Sequence, residues 1–181
     1  MNNPGKVIMV LIVFAWFFVS NDTLAQQSLI GKIVSSVEII DPNNEPAKIP
    51  FIGDKVVMIL YTDPDEKDVN DPLSNAVVAK GYPVNRYMGI GIANCKDTWI
   101  PDAAIRVKAR QKQEQFPGSV ILLDEERELK KAWGLDDCNN KGVVIIIGKD
   151  GLVKYIHHVG SQEESKKITP RVLEVIDKAL Q

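Results

Sequence analysis

The sequence predicts a single α/β domain built on a mixed β-sheet, and three observations carry that prediction. The run Val56 to Leu60, continued by Tyr61 and Thr62, is apolar without interruption, the mark of a strand buried on both faces. It breaks into a polar loop, Asp63-Pro64-Asp65-Glu66-Lys67-Asp68. Asp71-Pro72 then reads as an N-cap followed by proline at the first helical position. Further on, Val143 to Ile147 and Leu152 to Val159 flank Gly148-Lys149-Asp150-Gly151, whose Asp-Gly tip predicts an antiparallel hairpin.

The 181 residues are 45% hydrophobic and 25% charged, which suits one domain with a core of its own. A net charge of −2 argues against a nucleic-acid partner, whose binders are usually basic. Lys6 precedes a 13-residue apolar run, Val7 to Val19, and Thr23-Leu24-Ala25 follows. This is the layout of a secretory signal, and the run falls short of the ~20 residues that span a bilayer. We therefore expect a signal peptide over residues 1–25, a domain over residues 26–181, and a periplasmic address in the bacterial envelope. Membrane attachment is expected only if that segment is retained as an anchor.

The elements follow in order. Val37 to Ile40 predicts a strand, Asp41-Pro42-Asn43-Asn44 a turn, and Lys48 to Ile52 the returning strand. After the organising strand at 56–62, a helix runs from about Asp71 to Lys80 and stops at Gly81, a left-handed cap. Leu73, Ala76 and Val77 face the sheet. Tyr87 to Ala93 is a strand whose two glycines predict close approach of a helix or backbone. Pro101-Asp102 opens a helix from Ala103 to about Gln115. Its cations Arg106, Lys108, Arg110 and Lys112 read as a solvated face or, alternatively, a patch for phosphate or an acidic partner. Ser119 to Leu123 is the next strand, and Glu126 to Trp133 is a short helix closed by Gly134. Thr169-Pro170 is expected to cap the last helix, with Val172, Leu173, Ile176, Ala179 and Leu180 as its apolar stripe and Ile168 stapled onto Leu173.

From Val120 to Gly160 the chain resembles the second half of thioredoxin-fold peroxiredoxins and periplasmic thiol reductases. The residues concerned are Leu122-Leu123-Asp124, Ala132-Trp133-Gly134-Leu135, Val143 to Ile147, Lys149-Asp150-Gly151 and Val159-Gly160. It resembles more closely the YtfJ-like family of exported bacterial proteins, through Asn85-Arg86-Tyr87, Ile92-Ala93-Asn94, Ile100-Pro101, Ala132-Trp133 with Leu135-Asp136, and the Lys149-Asp150-Gly151 turn. The likeness covers roughly residues 56–180. It implies a thioredoxin-like three-layer fold, a central mixed sheet flanked by helices, and a periplasmic address. It implies no particular activity.

The departures from the redox members decide the functional reading. Where those members carry Cys-x-x-Cys or a peroxidatic Cys, this chain has Pro64-Asp65-Glu66-Lys67, and a carboxylate cannot attack a disulfide or peroxide as a thiolate does. Where they place a cis-proline before the hairpin strand, this chain has Gly142. The resemblance puts the two cysteines, Cys95 and Cys138, beyond the ends of the strands that neighbour the organising one. About two strand spacings separate those strands, against the ~7 Å limit for bridged Cα atoms. Free thiols and a disulfide both remain open.

Neither Cys opens a helix whose dipole would lower its pKa. Asp63, Asp65, Glu66 and Asp68 are candidates for binding at the loop, with Gly142 beside them; as oxygen ligands for Ca²⁺ or Mg²⁺ they lack the EF-hand pattern. His157 and His158 alternate across a strand and cannot chelate one ion. No zinc spacing, phosphate-cradling glycine loop or cofactor motif is present. The expectation is an exported binding or interaction module without thiol catalysis, with no cofactor and with an unidentified periplasmic protein or peptide as partner. The alternative is a thiol–disulfide or peroxide oxidoreductase using Cys95 and Cys138.

Overall fold

A computed structural model describes residues 29–181. The expected signal segment, residues 1–25, and its cleavage point lie outside the described residues.

Seven strands form one mixed sheet. They are β1 (Glu38–Ile40), β2 (Pro46–Lys48), β3 (Val56–Thr62), β4 (Tyr87–Asn94), β5 (Val120–Asp124), β6 (Gly142–Ile147) and β7 (Val153–Val159). Their spatial order is β2-β1-β5-β4-β3-β6-β7. The strands β3, β4 and β5 are parallel, and β6 runs antiparallel to both β3 and β7. The helices are α1 (Asp71–Lys80), α2 (Asp102–Gln115), α3 (Glu128–Trp133) and α4 (Gln162–Ala179).

Strand alternation sorts the core into layers. On one face Val56, Met58, Val144 and Ile146 meet Leu73 and Val77 of α1 and Val172 and Ile176 of α4. Leu123 on the same face packs under Ile105 and Ala109 of α2. On the other face Val57, Ile59, Ile90, Ile92 and Ile145 meet Leu129 and Trp133 of α3, together with Leu29, Val34 and Ile49. Trp133 is buried as its place before the Gly134 stop predicts, and its indole N–H donates to the Ser35 carbonyl at 3.2 Å. The left-handed caps at Gly81 and Gly134 are both present.

Six local expectations need correction. The returning strand is Pro46–Lys48 rather than Lys48 to Ile52. Asp41 satisfies the backbone N–H groups of Asn43 and Glu45, which closes the hairpin sooner. Helix α1 takes Asn70 as its N-cap, one residue before Asp71. The glycines of β4 admit no close backbone approach: a β-carbon at Gly89 would meet Tyr87 Oη at 3.5 Å, and one at Gly91 would touch its neighbours only at 4.0 Å.

The arginines of α2 are not free on a solvated face. Arg106 pairs with Glu125 and Arg110 donates to the Pro42 carbonyl, leaving Lys108 and Lys112 exposed. The last helix starts at Gln162, two turns before Thr169-Pro170, and Pro170 lies inside it. Ser161 is the N-cap and accepts the Glu164 N–H at 3.2 Å, so the local cap outcompeted the proline as a start signal. Ile168 is then a buried residue of the helix body rather than a staple.

Candidate functional site

In open α/β sheets, chemistry and ligands gather at the carboxyl ends of the parallel strands. Here those ends are Thr62, Asn94 and Asp124, aligned by the register Thr62↔Ala93 and Asn94↔Asp124. The start of β6 completes the row, because Gly142 pairs with Thr62.

The loop after β3 is tied down at each step. Asp63 is fully buried. Its carboxylate accepts the Asp65 N–H at 2.9 Å and the Asn140 N–H at 2.8 Å, and its own N–H donates to the Lys141 carbonyl at 3.0 Å. It therefore joins the loop after β3 to the loop before β6. A short 3₁₀ turn, Pro64–Glu66, follows. Asp65 is exposed and accepts the Thr98 hydroxyl at 2.9 Å. Asp68 pairs with Lys67, and its carbonyl accepts the Gln162 amide at 3.1 Å. Asp63, Asp65 and Asp68 thus face different partners rather than converge. Among the described residues no group of three or more His, Cys, Asp or Glu is placed to hold a metal ion. A shallow cleft of about 160 Å³ lies between Asp65–Val69 and Ser161–Gln162.

Gly142 sits beneath Asn70, whose amide donates to Thr62 Oγ1 at 3.2 Å. The peptide bonds of the described residues are all trans.

Sequence reasoning missed a polar network at the ends of β4 and β5. The Tyr61 hydroxyl donates to Asp124 at 3.1 Å, and both residues are fully buried. Asp124 also accepts the N–H groups of Glu128 at 2.6 Å and Leu129 at 3.1 Å, so it caps α3. Burial nonetheless pushes its carboxyl above the usual range. Asn94 donates to Asp97 at 2.7 Å, and Arg127 and Lys130 both reach the same carboxylate. Burial opposes the charge on Asp97, but the hydrogen bonds from Asn94 and Arg127 outweigh it and hold its pKa low. Arg127 has a left-handed backbone, φ 59°. The available signal was positional: a polar residue at the carboxyl end of each parallel strand.

Both cysteines are free and buried. Cys95 packs with Ile105, Ala109 and Leu123 under α2, whereas Cys138 packs in the cluster of Trp133 and Leu129. Those clusters lie on opposite faces of the sheet, because Leu122 and Leu123 alternate along β5. The sheet therefore separates the thiols, which resolves the open alternatives of the sequence in favour of free thiols. Each S–H points at a carbonyl, Cys95 at Ala93 and Cys138 at Asp136. Burial pushes Cys138 up to about 12, with Lys130 pulling the other way. Burial raises Cys95 further, reinforced by the carboxylates of Asp102, Glu125 and Asp124.

The loop after Asp97 presents Trp99, which is 85% exposed. Neither composition nor periodicity singles it out.

A family model described as a bacterial protein of unknown function, YtfJ_HI0045, matches residues 52–179. An uncharacterized protein of Haemophilus influenzae is 24% identical over 91 residues, which are 50% of this chain and 48% of that protein. The chain thus spans about half the length of the curated relative it matches. Among solved structures, the exposed lipoprotein thioredoxin Etrx1 of Streptococcus pneumoniae aligns with a TM-score of 0.56 at 10% identity, covering 80% of this chain and 99% of that one. A peroxiredoxin-like protein from Aquifex aeolicus aligns with a TM-score of 0.54 at 14% identity, covering 81% and 87%. At such identities the likeness carries the fold alone, and the fold is thioredoxin-like.

Proposed function

The chain belongs to the YtfJ_HI0045 family, and from that premise we propose that it is an exported, periplasmic thioredoxin-fold protein that binds a partner without thiol catalysis. The observation that carries this reading is the placement of the two thiols. Cys95 and Cys138 are buried on opposite faces of the sheet, and both pKa values are raised. A thiolate is the nucleophile in disulfide and peroxide chemistry, and neither site favours one.

The loop in the active-site position supports the same reading. It carries Asp63, Asp65, Glu66 and Asp68, and its backbone is held by the Asp63 carboxylate through the Asp65 and Asn140 N–H groups. A braced, solvent-facing loop at the carboxyl end of a sheet suits recognition by a rigid surface.

Turnover assays test this directly. The reduced full-length protein is expected to show no insulin-disulfide reduction and no peroxide consumption above background. Turnover that disappears in Cys95→Ser or Cys138→Ser would replace the binding reading with an oxidoreductase.

A further inference from the structure

We propose that the cleft between the β6–β7 turn and the carboxyl end of α4 binds a phosphate monoester through Lys149, Lys154, Arg171 and Lys178. This site goes beyond the binding reading above and lies at the other end of the sheet. Ile147, which leads into the turn, pairs with Val57 near the start of β3, whereas Gly142 pairs with Thr62 at its end. The cleft holds about 510 Å³ and is lined by the four cations together with Val175 and Ala179. That volume falls within the ~300–1,000 Å³ of small-molecule sites, which combine apolar lining with a few placed polar groups.

The chain builds this arrangement locally. Ile146 pairs with Tyr155 and Ile147 with Val153, so Lys154 is an extra residue with no partner in the β6 register. Such a bulge re-aims a side chain, and here the Lys154 ammonium reaches Asp150 in the turn at 2.6 Å. Gly148 leaves the room for it: a β-carbon there would stand 2.5 Å from Asp150 Oδ1 and 2.6 Å from Lys154 Cε. On α4, Arg171 and Lys178 lie along one helix face and share Glu174, at 2.7 and 2.6 Å.

Charge selects the ligand. Against the four cations the lining holds one carboxylate, Asp150, and Glu174 beside it adds a second, so a surplus of two positive charges remains. Among the described residues, Lys149 has no carboxylate within 4.0 Å. The carboxyl end of α4 offsets about half a charge. What is left matches a phosphate monoester, which carries about −1.5 to −2 near neutral pH; a single carboxylate would leave part of it unanswered. A phosphate also accepts several hydrogen bonds at once, which suits three ammonium groups and one guanidinium fork.

The probe is phenyl phosphate, titrated into the full chain while the Gly148 and Lys149 amide resonances are followed by NMR. A saturable shift of both is expected, and benzoate, with its single charge, should bind several-fold more weakly. Lys149→Gln with Arg171→Gln should weaken phenyl phosphate at least tenfold without moving the urea midpoint, since both side chains are exposed. Vesicles of phosphatidylcholine with and without phosphatidic acid separate the two sources of the phosphate. Co-sedimentation that needs phosphatidic acid and is lost in the double variant places it on a lipid headgroup; phenyl phosphate binding without such co-sedimentation places it on a soluble ester. The proposal is overturned if phenyl phosphate gives no saturable shift, if its binding survives the double variant, or if benzoate binds as tightly.

Discussion

Asn70 lies so close over Gly142 that a β-carbon there would stand 2.2 Å from Asn70 Nδ2 and 2.8 Å from Val69 Cγ1. This contact joins the start of α1 to the start of β6 at the carboxyl end of the sheet. Gly142→Ala should therefore destabilise the fold by about 1–3 kcal/mol. Asn70→Gly removes the nearest obstacle, so the double variant should lose less than the sum of the two single losses. Urea denaturation of the four proteins in the cycle measures this.

Trp133 closes α3 onto the sheet and donates to the Ser35 carbonyl. Trp133→Ala should cost about 3–5 kcal/mol. Trp133→Phe keeps most of the packing and should cost less, about 1–3 kcal/mol, through the carbonyl left unpaired. An unchanged denaturation midpoint in the alanine variant would mean that the helix does not face the core.

Asp97 gathers Asn94, Arg127 and Lys130, and its pKa lies below the ordinary 3.8. A carboxyl whose folded pKa is depressed adds stability above its unfolded pKa and loses it as pH falls through the folded value. Asp97→Asn should thus be less stable than the parent at pH 7, by about 1–3 kcal/mol. The gap should narrow as pH falls from about 4. Urea midpoints at pH 7, 5, 4 and 3 read the effect, and a gap that grows toward low pH would contradict the assignment.

The sequence carried the βαβ unit, the C-terminal hairpin and the caps at Gly81 and Gly134, because each rests on local chemistry that acts within a few residues. It misled where two local signals competed. Thr169-Pro170 looks like a helix start, yet the cap at Ser161 begins α4 earlier and the helix tolerates Pro170 on its exposed side. The loop acids were visible as a group, but their division into buried Asp63 and exposed Asp65 depends on the distant Asn140 and Thr98. The Tyr61–Asp124 bond spans 63 positions, and Trp99's exposure is a property of the assembled loop. Neither leaves a periodic trace.

The boundary of α4 can be tested on its own. Ser161→Ala should cost about 1 kcal/mol by removing the cap. Pro170→Ala should stabilise, because an interior proline lacks the N–H that would bond the carbonyl four residues earlier. If helix formation began at Pro170, the first substitution would be neutral and the second destabilising. Thermal denaturation followed by circular dichroism distinguishes the two.

The most direct test of the non-catalytic reading is the rate of iodoacetamide alkylation of the reduced protein from pH 5 to 10, with Cys95→Ser and Cys138→Ser isolating each thiol. Burial should make both thiols slow, with rates still rising at pH 10 and no plateau near the ~8.5 of an ordinary cysteine. A thiol that reacts at its full rate at pH 6, and is lost in one of the two variants, would contradict the account and identify a reactive nucleophile.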